Sequence, residues 1–91
     1  PGDAEDLNFQ VLFLDKFVAV LPPQHPLLEK KTLRWRDLQN TTFIALQRPS
    51  SIRALLDRTL LEHDIEMTPA FEAHLLASIG RMVASGLGSS V

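Results

Sequence analysis

The sequence of 91 residues contains no cysteine, and this absence excludes disulfide bonds and thiol chemistry. Long apolar runs are missing as well. Polar side chains such as Lys16, Gln24, Arg34 and Arg53 interrupt every stretch before it reaches the roughly eighteen residues of a membrane-spanning helix. We therefore expect no association with a membrane.

Basic residues do not outnumber acidic residues either. Nine Lys and Arg stand against 11 Asp and Glu, which gives a formal net charge of −2. A surface that binds nucleic acid needs clustered positive charge to neutralise phosphates, so we expect that this chain by itself does not bind DNA. The hydrophobic content of 45% is ample for a packed core, which excludes a disordered tail.

Glycine is scarce, with four in the chain, and two of them, Gly86 and Gly88, lie in one closing turn. Apolar residues at helical spacing precede this turn, and Ser89-Ser90-Val91 after it has the character of an unfinished strand. The pattern predicts a helix end at which both glycines adopt positive φ. The first six residues lack the basic and apolar segments of a signal peptide. Because the last residues have the character of an unfinished strand, we expect the chain to be one lobe of a larger fold.

Strand-like and helix-like segments alternate along the chain. A β-rich run at residues 8–14 and 17–21 is broken at Asp15-Lys16 and ended by Pro22-Pro23, because proline cannot donate to a strand ladder. The later segments predict a loop, a helical turn, a strand, a helix, a strand and a helix, at residues 24–31, 33–38, 42–46, 52–63, 68–72 and 75–85. This alternation is typical of an α/β fold with a mostly parallel sheet and helices on its faces.

The helix predicted after residue 51 has an amphipathic pattern. Ser50 and Ser51 are natural N-cap residues. Arg53 and Asp57 lie four residues apart, which predicts an ion pair on the solvent-facing side. The side predicted to face the core consists of Ile52, Leu55, Leu56, Thr59 and Leu60.

Motifs for catalysis or metal binding are absent from the sequence. His25, His63 and His74 are not spaced for joint coordination, and no cysteine complements them. No serine lies in a Gly-x-Ser-x-Gly elbow and no Gly-Lys-Ser/Thr phosphate loop occurs. Residues 85–88 lack the third glycine of a dinucleotide fingerprint. We therefore predict no catalytic residue, no metal and no cofactor, and do not expect an enzyme.

Ligand binding has better support in the pattern. In parallel α/β sheets, small molecules bind beyond the carboxyl ends of the strands, where helix N-termini present free N–H groups. Two predicted loops lie there, at residues 47–53 and 72–75. Their residues suited to binding a small carboxylate are Arg48, Ser50, Ser51, Arg53 and His74. An alternative stays open, in which one serine only caps the helix and Arg48 is only solvated.

Several short motifs follow one another in a characteristic order. They are Phe17-Val18-Ala19-Val20-Leu21-Pro22, His25-Pro26-Leu27, Asp37-Leu38, Phe43-Ile44, Arg53 with Asp57, Glu72, and Val83-Ala84-Ser85-Gly86-Leu87-Gly88. With these motifs the chain, from about Leu7 to Val91, resembles the second lobe of the effector-binding domain of LysR-type transcriptional regulators.

The resemblance implies one lobe of a type 2 periplasmic-binding-protein-like fold, in which two α/β lobes close on a small-molecule effector. It implies a cytoplasmic homo-oligomer whose first lobe and DNA-binding winged helix-turn-helix are not among these 91 residues. The helix at residues 52–62 is the expected subunit contact, because Leu60 and Leu61 widen its apolar stripe, although plain core packing also accounts for such a stripe. A lobe of a transport solute-binding protein has the same fold and remains the alternative.

Overall fold

A computed structural model describes residues 9–91 of the chain. Strands and helices alternate, which confirms the predicted α/β class. The strands are β1 (Gln10–Leu14), β2 (Phe17–Leu21), β3 (Ile44–Leu46) and β4 (Phe71–Ala73). The helices are α1 (Trp35–Gln39), α2 (Ser51–Glu62) and α3 (Leu76–Ala84), and a 3-10 helix (Pro26–Glu29) occupies part of the segment predicted as a loop.

The sheet has an antiparallel half and a parallel half. β1 and β2 form an antiparallel hairpin around a turn in which Asp15 has a φ of 58°, whereas β3 and β4 pair in parallel. The two halves are joined by the last residues of the chain, because Ser90 pairs with Val20 and Ser89 pairs with Phe43. The unfinished strand predicted at the end of the chain is thus reduced to two isolated bridges, which link β2 to the start of β3.

The strand predicted at residues 68–72 begins later than expected. β4 starts at Phe71, and the residue before it, Ala70, already donates its N–H to the carbonyl oxygen of Phe43 at 2.9 Å. Pro69 lacks an N–H and cannot extend this ladder towards the N-terminus. The correction is therefore a shift of the strand by a few residues.

The core lies on both faces of the sheet. On one face, β2 and β3 pack against α1 and α2, and on the other face β3 packs against α3. This arrangement follows from side-chain alternation, since Phe43 and Ala45 point to the first face and Ile44 to the second. Buried residues of the first face include Leu21, Trp35, Leu38, Phe43, Leu56 and Leu60, and those of the second are Ile44, Ile79 and Val83.

The motif Asp37-Leu38 lies inside helix α1, where Asp37 caps the helix start and Leu38 anchors the helix in the core. The Asp37 carboxylate accepts hydrogen bonds from Lys30 Nζ at 2.9 Å and from the Arg34 backbone N–H at 2.8 Å. The bond from Lys30, followed by that from Arg34, holds the pKa of Asp37 below its usual range. Leu38 is fully buried beneath this cap, so the helix start is fixed by polar contacts outside and by packing inside.

The apolar side predicted for α2 is only partly correct. Leu56, Thr59 and Leu60 are buried as expected, but Ile52 is 46% exposed and Leu55 is 37% exposed. Their predicted place in the core is wrong because a polar residue, Arg53, turns inward at the first turn of the helix. Leu61, which was expected to widen the stripe, is 80% exposed.

The closing turn requires its two glycines for different reasons. Gly86 has a φ of 88° and ends α3 in a Schellman arrangement, with Gly86 N donating to Val83 O at 2.9 Å and Leu87 N to Met82 O at 3.0 Å. The prediction of a positive φ is wrong for Gly88, whose backbone lies outside the positive-φ region. A Cβ at Gly88 would collide with the carbonyl oxygen of Thr42, so this glycine permits close approach of two backbones.

Candidate functional site

The carboxyl ends of β3 and β4 lie side by side because the two strands are parallel neighbours. The loops that leave them are tied together, since Gln47 N donates to Ala73 O at 2.8 Å. One loop leads into α2 and the other into α3, so the first turns of both helices lie at the same edge of the sheet. This is the edge at which the sequence predicted a ligand site.

A pocket of about 530 Å³ lies between these loops, and we call it the strand-end pocket. It contains three of the five predicted residues, namely Arg48, Ser50 and His74, while Ser51 and Arg53 are not among its lining residues. The complete lining is Leu46, Gln47, Arg48, Pro49, Ser50, His74, Leu75 and Leu76. Two loops that are separated in sequence therefore form one concave surface.

Ser50 is the N-cap of α2. Its Oγ accepts a hydrogen bond from Arg53 N at 3.2 Å, and its carbonyl oxygen accepts from Ala54 N at 2.8 Å. The prediction of a serine cap at this helix is thus confirmed for Ser50, and Ser51 is the exposed first residue of the helix. The backbone N–H groups of Ser51 and Ile52 remain available to an anion, whereas that of Arg53 is taken by the cap.

Arg53 lies on the inner side of α2 and is only 4% exposed, so its predicted place on the solvent-facing side is wrong. Its Nη1 donates to Leu46 O at 2.9 Å and to Glu72 Oε2 at 2.6 Å, and its Nε donates to Asp57 Oδ1 at 3.0 Å. The predicted pairing of Arg53 with Asp57 is present. The guanidinium of Arg53 can be buried here because its N–H donors at Nη1 and Nε have acceptors within the protein.

Asp57 links the buried arginine to the pocket. Its other oxygen, Oδ2, accepts a hydrogen bond from Arg48 Nε at 2.9 Å, so one carboxylate holds both cations. Burial by itself would raise the pKa of Asp57, but the hydrogen bonds from Arg48 and Arg53 outweigh it and the pKa is lowered. Burial opposes the charge of Arg53 as well, yet its pKa is raised because Glu72 and Asp57 stabilise the cation.

The sequence did not single out the apolar part of the pocket. Leu75 and Leu76 are strongly exposed at its rim, at 62% and 58%. The buried residues of α3 are Ile79 and Val83, so the two leucines are left free to line the pocket. Glu72 was also missed as a structural partner, since only the burial of Arg53 shows that it needs a second carboxylate.

Other chemistry finds no support among the described residues. Residues 9–91 contain no group of three or more His, Cys, Asp or Glu side chains that could hold a metal ion. Within the same range, no helix is both long and apolar enough to span a membrane. A further surface pocket of about 410 Å³ lies beside the closing turn, where Pro22 and His25 face Gly86 and Gly88.

Comparison with known proteins gives consistent matches along the chain. The sequence profile of the family described as the LysR substrate binding domain matches residues 1–91. The Transcriptional activator protein LysR of Escherichia coli (strain K12) is 44% identical over 82 residues, which are 90% of this chain and 26% of that protein. A Probable RuBisCO transcriptional regulator of Cyanophora paradoxa is 33% identical over 89 residues, covering 94% of this chain and 28% of the relative.

The fold also matches a solved structure. The crystal structure of HinK, a LysR family transcriptional regulator from Pseudomonas aeruginosa, superposes with a TM-score of 0.68 at 24% sequence identity. The match covers 79% of this chain and 24% of that chain, and it shows a shared fold. The chain thus spans about a quarter of the length of the proteins that it matches.

Proposed function

The chain belongs to the family of LysR substrate-binding domains, and from this premise we propose that it is the second, effector-sensing lobe of a LysR-type transcriptional regulator. The observation that carries the proposal is the strand-end pocket, where Arg48, Ser50 and His74 meet at the carboxyl ends of two parallel strands. In this proposal the pocket is one wall of a cleft between two lobes.

The proposed effector is a small carboxylate. The exposed side chain of Arg48 supplies a cation, and the first-turn amides of α2 at Ser51 and Ile52 supply further donors, while Ser50 keeps the helix start in place through its bond to the Arg53 amide. His74 approaches from the second loop. Leu75 and Leu76 suit an apolar part of the same ligand.

Arg53 acts in this proposal through its neighbours, because its guanidinium is occupied by Leu46, Asp57 and Glu72. It keeps the end of β3 and the carboxylate of Asp57 in place, and Asp57 in turn orients Arg48. Arg53 is therefore a positioning residue for the cation that meets the ligand.

The proposed mechanism is ligand-controlled geometry. An effector that binds one relative orientation of the lobes more tightly shifts the population towards it, and the orientation sets how paired subunits present their DNA-binding heads. The protein is then a cytoplasmic homo-oligomer without enzymatic activity, and its DNA contacts lie in a helix-turn-helix outside this chain. The names of the relatives, which are transcriptional regulators, favour this function over solute transport.

The test uses the full-length regulator and a panel of small carboxylates in a thermal-shift assay. We expect at least one carboxylate to raise the melting temperature of the wild type, since a ligand at a hundred times its Kd stabilises by about 2.7 kcal/mol. Arg48→Ala should abolish most of this shift. Ser51→Ala should keep both the shift and the basal stability, because Ser51 contributes only its backbone amide and Ser50 is the cap.

Arg58→Ala is the matched control, since Arg58 is an exposed arginine on the same helix but outside the pocket lining. It should keep the ligand shift, and all variants should still bind operator DNA. An equal shift in Arg48→Ala and in the wild type would place the effector elsewhere and contradict the proposal.

A further inference from the structure

A third pocket, of about 290 Å³, lies at the other end of α2, and we call it the hairpin pocket. It is formed where the turn between β1 and β2 meets the start of α1 and the residues after α2. The strand-end pocket adjoins the N-terminus of α2 at Ser50, whereas the hairpin pocket adjoins its C-terminus at His63. A helix of 12 residues separates them by about 18 Å.

The floor of the hairpin pocket is apolar. Leu33 and Trp35 are buried and Ile65 is half-buried, and all three side chains belong to or pack against the main core. The position of the indole is fixed, because Phe17 packs edge-on against Trp35 with ring centroids 5.4 Å apart. Such a floor suits the apolar body of a small molecule.

The rim of the hairpin pocket is positively charged. Arg34 and Arg36 both line it, and within residues 9–91 neither guanidinium makes a hydrogen bond or an ion pair. The opposing carboxylate, that of Asp15, lies 3.7 Å from His63 Nε2 and is therefore directed to the histidine. The nearby carboxylate of Asp37 is paired with Lys30 at 2.9 Å, so the two guanidiniums still exceed the unpaired negative charge and leave this rim attractive to an anion.

Trp35 adds an unusual feature to the pocket. Its Nε1 is buried and has no hydrogen-bond partner, and among residues 9–91 it is the sole buried side-chain nitrogen or oxygen in this condition. Because this nitrogen has almost no accessible surface, a ligand in the pocket would contact the indole ring and not the N–H itself. The N–H signal nevertheless reports on a change beside the ring.

From these observations we propose that the hairpin pocket is a second ligand site, which binds a small organic anion with an apolar body. The apolar body packs on Leu33, Trp35 and Ile65, and the carboxylate receives hydrogen bonds from Arg34 and Arg36. The site is separate from the strand-end pocket and does not depend on the effector proposed there.

The test follows the indole N–H signal of Trp35 by NMR in the 15N-labelled full-length regulator, with the signal assigned by its loss in Trp35→Phe. The probe is cyclohexanecarboxylate, and cyclohexanecarboxamide is the uncharged control of the same shape. We expect a saturable shift of the indole signal with the carboxylate. Binding of the carboxamide should be at least about tenfold weaker, because hydrogen bonds to charged groups contribute about 1.5–3 kcal/mol.

Variants separate the two pockets. The double variant Arg34→Gln, Arg36→Gln should lose the carboxylate shift and keep its urea midpoint, since both side chains are exposed. Arg48→Gln, which alters only the strand-end pocket, should retain the shift. The proposal is overturned if the indole signal does not saturate, if the carboxamide binds as well as the carboxylate, or if only Arg48→Gln abolishes the shift.

Discussion

A single buried guanidinium connects the sheet to the rim of the strand-end pocket. Arg53 joins the end of β3 through Leu46 O, the edge strand through Glu72, and Arg48 through the shared carboxylate of Asp57. Because its partners come from three segments, the loss of Arg53 affects both the local fold and the orientation of the ligand-facing cation. Arg48, with 65% of its side chain exposed, has no comparable structural role.

Replacement of Arg53 by leucine should therefore destabilise the protein more than replacement of Arg48. We expect Arg53→Leu to lower the free energy of unfolding by about 1–3 kcal/mol, because the carbonyl of Leu46 and the facing carboxylates lose a charged donor. Arg48→Leu removes an exposed ion pair and should cost about 0–1 kcal/mol. Urea denaturation at neutral pH measures both, and equal costs would contradict the role of Arg53.

The same network has a pH signature with a definite sign. The pKa of Asp57 is lower in the folded state than its ordinary value of 3.8, so this carboxylate stabilises the fold above that value. The contribution is lost as the pH falls below 3.8 towards the folded-state pKa. Repeating the urea series across this acid range should give a shallower loss of stability for Arg53→Leu than for the wild type.

Whether a site residue could be predicted from the sequence depends on how far apart in sequence its interaction partners lie. Arg48, Ser50 and His74 could be placed in one pocket because adjacent parallel strands end at the same edge of a sheet. The inward orientation of the Arg53 side chain could not be predicted, because it depends on Glu72, which lies 19 residues away. The binding roles of these residues stay predictions.

At the scale of elements, local signals located helices better than strand partners. The serine cap and the Gly86 turn place the start of α2 and the end of α3, because capping involves only neighbours in sequence. The antiparallel hairpin and the place of Ser89 and Ser90 between β2 and β3 involve long-range pairs. Even the hydroxyl of Ser90 bonds to Ile44 O, 46 residues away, at 2.6 Å.

The closing turn offers a test of that long-range link. We expect Gly88→Ala to destabilise the protein more than Gly86→Ala, although both residues lie in one turn. A Cβ at Gly86 would meet open space, so Gly86→Ala should lower the free energy of unfolding only through the positive φ, by about 1–2 kcal/mol. A Cβ at Gly88 meets the Thr42 carbonyl, whose oxygen accepts the hydrogen bond of Ser89 that joins the sheet.

Thermal unfolding of the two glycine variants measures which substitution destabilises the protein more. The Gly88→Ala variant should also lose hydrogen-exchange protection at Ser89 and Ile44, whose amides pair across this junction. Gly86→Asn is the control for backbone conformation, because asparagine tolerates positive φ better than alanine does. If Gly86→Ala is the more damaging substitution, the close approach at Gly88 is not what holds the turn to the sheet.

At the scale of the whole molecule, α2 separates the two pockets and presents part of its apolar surface outward. Ile52, Leu55 and Leu61 are all exposed on this helix, while Leu56 and Leu60 face the core. A helix that satisfies its core face and still carries exposed apolar residues has surface left for a partner. This observation supports the proposed pairing of subunits through α2.

Substitution of Leu61 tests the pairing without touching the core. In the full-length protein, Leu61→Glu should shift sedimentation towards smaller oligomers, because a charge buried against an apolar partner is strongly unfavourable. Phe13→Glu is the matched control, since Phe13 is equally exposed, at 85% against 80%, but lies on the β1–β2 hairpin. Both variants should keep the wild-type melting behaviour of the lobe, because neither side chain contributes to the core. A loss of association in Phe13→Glu alone would assign the subunit contact to the hairpin and rule out α2 as the pairing surface.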